Sequence, residues 1–144
     1  MDPLRRYFEG DRLAKALGIE LVEVGDGRAT ARMLFDKTRH ANTMGIAHGG
    51  AIFSLADFAF AAACNSQGQL SVAVNCSINY LSAVHEGWLT AIAEEVRPHH
   101  KLATYVIKVL NEQGELIALM QAMAYRKRET VEEFLQTMKL ATDN

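Results

Sequence analysis

Asp57 sits between Leu55, Ala56, Phe58 and Ala59, in the middle of a stretch (51–64) that is otherwise almost wholly apolar. An ionised carboxylate among such neighbours is costly unless it is paired or hydrogen-bonded. Burial raises a carboxylate's pKa, and groups used as acids and bases are often found in such places. The competing reading is a structural aspartate that bonds a backbone amide or an arginine from another strand. Taken alone, Asp57 supports the two readings about equally.

A second motif tips the balance. Asn42-Thr-Met-Gly45-Ile-Ala-His48-Gly49-Gly50 runs directly into the apolar stretch. The start of a helix leaves backbone N–H groups unpaired and carries partial positive charge. Glycines at 49 and 50 let a ligand oxygen approach those amides closely. The arrangement is a candidate oxyanion hole, a set of donors for a carbonyl that gains negative charge. A bare His-Gly-Gly is also an ordinary glycine entry to a helix. Asn42 before it and Asp57 eight residues after Gly49 make the chemical reading stronger. On one helix those eight residues span about 12 Å of rise. One substrate carbonyl therefore cannot be within hydrogen-bond reach of both. If both act on the same carbon, they come from two copies of the chain, with the helices antiparallel in a two-fold dimer.

The elements that must hold these residues are legible in outline. Residues 3–17 show helical spacing of Leu4, Phe8, Leu13 and Leu17, with Pro3 at the start, Gly18 at the stop and Gly10 as a weak point where the helix can divide. Residues 19–24 alternate apolar and polar as a half-buried strand does, Gly25-Asp26-Gly27 signals a hairpin, and 28–35 returns as a second strand. A polar loop is expected over 36–47. The stretch 48–67 is apolar on every face, which predicts a helix buried on every face. Four strands are expected at 71–81, 89–97, 103–111 and 116–126, with turns at 86–87, 98–101 and 113–114 and the last three strands in a meander. Residues 129–141 read as an amphipathic tail helix. One long helix beside about six antiparallel strands is an α+β layer arrangement. A helix apolar all round needs a second subunit or a strongly curved sheet to cover it.

Composition narrows the class. The 144 residues fit a single domain, 49% of them hydrophobic, with a formal net charge of −2. Charges of both signs are spread along the chain, so a nucleic-acid partner is not expected. The longest apolar stretch is too short to span a membrane. Residues 1–11 have no apolar core, so neither a secretory signal nor a location outside the cytoplasm is expected. Cys64 and Cys76 form no metal-binding pattern, and reduced, packed thiols are expected, with a disulfide as the lesser alternative. The histidines at 40, 48, 85, 99 and 100 suggest no convergent metal site.

The segment Asn42 to Ser66, N-x-x-G-x-x-H-G-G followed by AIFSLADFAFAAACNS, resembles the hotdog thioesterase superfamily, and within it the phenylacetate-pathway (PaaI-type) branch. The stretches 72–81 (VAVNCSINYL) and 104–109 look similar to it too, and the order of elements agrees over about residues 10–126. The resemblance implies a central helix wrapped by an antiparallel sheet, and a homodimer that often pairs into a tetramer. It implies hydrolysis of an acyl-CoA, with aryl-acetyl and medium-chain acyl groups both open. Asp57 would be nucleophile or general base. The Gly49 amide would polarise the thioester carbonyl, and His48 and Asn42 would position the thioester or water. Gly50 and Phe53 would lie along the substrate, with Phe58 and Phe60 as further candidates for the acyl pocket. Coenzyme A would be part of the substrate, with no metal and no separate cofactor.

Two departures stand out. Where related chains often carry an Arg-rich turn, this one has His99-His100-Lys101-Leu102. Lys101 is thus the candidate partner of a coenzyme A phosphate, against the commoner role of a solvated turn. Ala73 stands where some relatives place a serine, which favours the PaaI-type branch. A hydratase of the same fold would carry Asp and His close together near Asn-Pro, a pattern missing from this sequence. A non-catalytic acyl-CoA-binding or sensing domain is the rival of another class. A purely structural oligomer would leave Asp57 unexplained.

Overall fold

The structure, a computed structural model, describes residues 2–97 and 101–142. Two short helices open the chain, α1 (Pro3–Glu9) and α2 (Arg12–Leu17). The continuous helix expected over 3–17 divides at Gly10 because Asp11 starts a new one: its carboxylate accepts from the Ala14 N–H at 3.0 Å. Gly18, at φ 73°, ends α2 in a left-handed turn.

Strands β1 (Ile19–Gly25) and β2 (Arg28–Leu34) form the expected hairpin. Asp26 and Gly27 both have positive φ, 53° and 77°, as a two-residue turn matched to strand twist requires. The loop that follows contains a four-residue helix, α3 (Lys37–His40), that the polar sequence did not announce. Asp36 caps it through the Thr38 N–H at 2.9 Å.

The long helix α4 (Gly49–Asn65) comes next, then β3 (Gln69–Tyr80), β4 (Trp88–Glu95), β5 (Leu102–Leu110), β6 (Leu116–Thr130) and α5 (Val131–Thr142). The expected turn at 98–101 falls mostly outside the described residues. Strand β6 runs four residues beyond its expected end, so the tail helix starts at Val131 rather than 129.

All six strands form one antiparallel sheet in the order β1-β2-β4-β5-β6-β3. Strands β4, β5 and β6 are the expected meander. Strand β3 follows α4 directly yet lies at the far edge, paired with β6 from Gln69↔Thr130 to Tyr80↔Ala118.

The sheet curves around α4, which touches all six strands as well as α1 and α2. Small side chains allow this close approach. Ala31, Ala91, Ala93, Ala118 and Ala124 on the strands and Ala56, Ala59, Ala62 and Ala63 on the helix are all fully buried. Larger residues fill the remaining space: Leu55 and Phe60 from the helix, Met33, Tyr105, Ile107 and Met120 from the sheet. Within one chain the curved sheet does not bury α4 on every face. Gly50, Phe53, Ser54, Asp57 and Ala61 form a stripe at helical spacing that the chain leaves partly open.

One ion pair is buried at the end of the sheet nearest the C-terminus of α4. The Arg126 guanidinium donates to Glu95 Oε1 at 2.9 Å and to the Tyr105 hydroxyl at 3.1 Å, with the two charged side chains only 8% and 5% exposed. Burial, with the Glu95 charge behind it, pushes the Tyr105 phenol up to about 12, so it stays protonated. Removing one partner strands the other charge in the core. Arg126→Met should cost about 3–5 kcal/mol in denaturant unfolding, and adding Glu95→Leu should recover most of that loss. Equal stability of the single variant and the parent would show that the pair is not carrying its charge in isolation from water.

Candidate active site

The loop before α4 is held from both sides. His40, only 1% exposed, accepts the Asp36 N–H at Nδ1 (2.9 Å), so its Nε2–H donates to the Leu17 carbonyl at 2.7 Å. Its own carbonyl accepts the His48 N–H at 2.7 Å, and Ala47 donates to Val84 at 2.7 Å. Residues 41 and 47 form an antiparallel bridge that closes a small loop. Asn42 lies inside it. Its Oδ1 accepts the N–H groups of Met44 (2.9 Å) and Ile46 (3.3 Å), which commits the oxygen to the turn and leaves the Nδ2 group as its open donor.

His48 is the N-cap of α4. Its Nδ1 accepts the Gly50 N–H at 2.8 Å, so the neutral ring carries its proton on Nε2, and the side chain is exposed. The two glycines therefore have different duties. The Gly50 amide is consumed by the cap, and a Cβ there would sit 3.1 Å from Nδ1. The Gly49 N–H is the first of the helix and has no acceptor among the described residues. A Cβ on Gly49 would come within 3.1 Å of the Tyr80 ring, whose hydroxyl donates to the Gly49 carbonyl at 2.9 Å. Tyr80, from the last position of β3, is a part of the site that sequence reading missed. Only the pairing of β3 at the far edge carries it to the head of α4.

Asp57 lies midway along the open stripe, half-buried, and its carboxylate has no hydrogen bond or ion pair among the described residues. Burial raises its pKa first, and the charge of Asp11 adds to the shift. Cys64 and Cys76 are its neighbours, and both thiols are free. Burial and then the Asp57 charge push Cys64 up to about 12 and raise Cys76. A thiol at that value is not a nucleophile near neutral pH.

The structure brings Asn42, His48 and Gly49 to one end of α4 and leaves Asp57 two turns away. Phe53 is on the open stripe. Phe58 packs edge-on against Phe8, and Phe60 against Tyr105 inside the core, so these two do not face the stripe. Lys101 is exposed at the opposite end of the sheet. Its carbonyl accepts from the Arg126 N–H, whereas the Gly49 end is marked by Tyr80 paired with Ala118, roughly 25 Å along β6. Within one chain Lys101 is therefore remote from Gly49. Among the described residues no three His, Cys, Asp or Glu side chains gather to hold a metal ion.

Because Asp57 binds its proton more tightly folded than unfolded, its ionisation opposes folding. That cost is absent below the ordinary carboxylate range and fully present above the raised folded value. Asp57→Asn should thus melt at a higher temperature than the parent at pH 7, with the difference closing near pH 4. A variant that melts lower at pH 7 would mean the carboxylate has a stabilising partner.

Comparison with known proteins agrees with this architecture. The family model described as "Thioesterase superfamily" matches residues 44–118, which include the Gly49 end of α4 and Asp57. The acyl-coenzyme A thioesterase PaaI of Escherichia coli K12 is 38% identical over 120 residues, covering 83% of this chain and 85% of the relative. The solved structure of E. coli PaaI, from the phenylacetic acid degradation operon, superposes with a TM-score of 0.83 at 37% identity, over 88% of this chain and 91% of that one. A variant of the phenylacetic acid degradation protein PaaI from Thermus thermophilus gives a TM-score of 0.75 at 34% identity, over 80% and 98%. With its curved antiparallel sheet around one long helix, the chain belongs to the thioesterase superfamily, as a hotdog-fold thioester hydrolase of the PaaI-type branch.

Proposed function

We propose that the protein hydrolyses acyl-coenzyme A thioesters to a free acid and coenzyme A, at a site shared by two copies of the chain. The observation that carries this reading is the pair of groups on α4 with no partner among the described residues: the Asp57 carboxylate on the open stripe and the Gly49 N–H at the helix head. Their separation along the helix, about 12 Å, is too large for one carbonyl. Antiparallel packing of two α4 helices across their open stripes brings Asp57 of one copy beside Gly49 of the other. The exposed Val72, Val74 and Tyr80 of the edge strand β3, with Leu81 just beyond it, favour such a second copy, since an apolar strand edge is a ready surface for pairing. Dimers of this kind can pair again as a tetramer.

In this site the Gly49 amide stabilises the oxyanion that forms on the thioester carbonyl. Asp57 acts as a base on water or attacks the carbonyl carbon itself. With Asp57 as base, water adds to the acyl carbon, the C–S bond breaks and the proton taken from water goes to the departing sulfur. With Asp57 as nucleophile, the C–S bond breaks as an acyl–Asp57 anhydride forms, a proton from water goes to the sulfur, and a water molecule then cleaves the anhydride to the free acid and the Asp57 carboxylate. His48, fixed with its proton on Nε2, serves as a donor to the thioester and not as the base. Asn42 contributes its Nδ2 group to orient substrate or water. Gly50 and Phe53 line the approach, and Lys101, remote within one chain, is left to a coenzyme A phosphate reaching across the dimer. No metal or cofactor takes part. Free Cys64 and Cys76 suit the reducing cytoplasm. The acyl part of the substrate is aryl-acetyl or medium-chain.

Thiol release from a panel of aryl and aliphatic acyl-CoAs tests the activity. Asp57→Ala should lower the rate roughly 100-fold or more while leaving the circular dichroism unchanged. Tight binding of several acyl-CoAs without turnover would make the protein a binder instead. A second measurement addresses the shared site. Asp57→Ala and Gly49→Pro chains, each inactive alone, should regain part of the activity when co-assembled, because the mixed dimer holds one site with neither change. Verified mixed dimers without activity would place both groups of a working site in one chain.

A further inference from the structure

Beside the open stripe lies a cavity of about 440 Å³ that the proposed chemistry has not used. Its floor is Ala61, one helical turn beyond Asp57 on the same face of α4, about 6 Å of rise away. Tyr7 and Phe8 of α1 form one wall, and Phe134, Leu135 and Met138 of α5 form the other. The two walls are clipped together by the Tyr7 and Phe134 rings, edge-on at 5.6 Å.

Helix α5 is built oddly for a surface helix. Val131, Phe134, Leu135 and Met138 form an apolar face at helical spacing, yet only Val131 is buried, Phe134 and Leu135 are half-buried and Met138 is exposed. That face turns toward the cavity rather than into filled core. Asp11, another lining residue, is close enough to Asp57 to raise its pKa, and the Tyr7 phenol feels both Asp11 and Cys64. The cavity and the carboxylate are therefore neighbours. A chain leaving a carbonyl at Asp57 toward the C-terminal end of α4 meets Ala61, the smallest residue that keeps a helix, and then the apolar walls.

We infer that α1 and α5 together form the acyl pocket, and that it takes a large apolar acyl group whose size limit is set by Leu135 and Met138 of the tail helix. This rests on the thioesterase reading above. Arg6 and Asp11 also line the cavity, but a very short acyl group does not reach the apolar walls, whereas a medium-chain or aryl group exchanges water for apolar contact along them.

The test uses the full chain with Leu135→Trp, and with Met138→Trp as a second variant at an exposed position where folding is not at stake. The values of kcat/KM for acetyl-, decanoyl- and phenylacetyl-CoA are compared with those of the parent. The larger substrates should lose roughly tenfold or more in both variants, with acetyl-CoA nearly unchanged. A loss confined to decanoyl-CoA marks an aliphatic occupant, and one confined to phenylacetyl-CoA an aryl one. Equal losses on all three, or none, would overturn the inference. Calorimetric binding of the unreactive thioether S-decyl-CoA separates this from the parent reading. Tighter binding than free coenzyme A, weakened by both tryptophans, supports the pocket even in a chain that hydrolyses nothing. Equal affinity for thioether and free coenzyme A would refute it whatever the activity.

Discussion

The fold holds one unfavourable placement: a carboxylate with no partner among the described residues, halfway along a helix that the sheet otherwise encloses. Ionised groups are tolerated inside proteins when paired, and the same chain shows how that is done. Arg126, Glu95 and Tyr105 satisfy one another where they are buried. Asp57 receives no such treatment. Its neighbours raise its pKa through burial and through the like charge of Asp11. A group kept so poorly solvated binds its proton more tightly than a carboxylate in water, a condition in which groups used as acids and bases are often found.

The placement is sustained by precision at the other end of the helix. His48 closes the helix start with its own ring nitrogen, and in doing so takes the Gly50 amide and fixes its own tautomer. The Gly49 amide stays open, and Tyr80 anchors the Gly49 carbonyl from the far strand. The Gly50 amide is thus taken up by the cap, while the adjacent Gly49 amide has no acceptor among the described residues. An alanine at 49 would press its methyl on the Tyr80 ring, and one at 50 would press on the His48 ring. The two glycines are thus crowded by different neighbours.

Much of this could be read from sequence where the signal is local. The alternation of 19–24, the Gly25-Asp26-Gly27 turn and a long helix through the apolar run around Asp57 are found as expected, and the motif from Asn42 to Gly50 lies at the head of that helix. Helix dimensions alone separated Gly49 from Asp57. What escaped depends on partners distant in the chain or on competition between local signals. Asp11 restarts a helix that the spacing of Leu4, Phe8, Leu13 and Leu17 made look continuous. The α3 turn is too short and polar to show periodicity, although Asp36 two residues before Thr38 is a capping signal. Tyr80 meets Gly49 only because β3 crosses to the far edge. The open stripe was hidden for a related reason: Gly50, Phe53, Ser54 and Ala61 are small or apolar, so hydropathy does not distinguish a face awaiting a partner from one already covered.

The position of β3 also governs the order in which the molecule can be completed. Strand β3 is made directly after α4, but β6, its neighbour in the sheet among the described residues, ends at Thr130. Until β6 exists, β3 has nothing to pair with, Tyr80 has no fixed place from which to hold the helix head, and the apolar surface of α4 lacks its last cover. On a ribosome α4 emerges well before β6, so the helix and β3 are made before the strand that completes this end of the sheet. Contacts that close such long loops form slowly, so the exposed helix must wait. A chain cut short within β6 would present α4 and an unpaired apolar strand together, which makes the late strand the point at which an incomplete product is marked out for aggregation or removal.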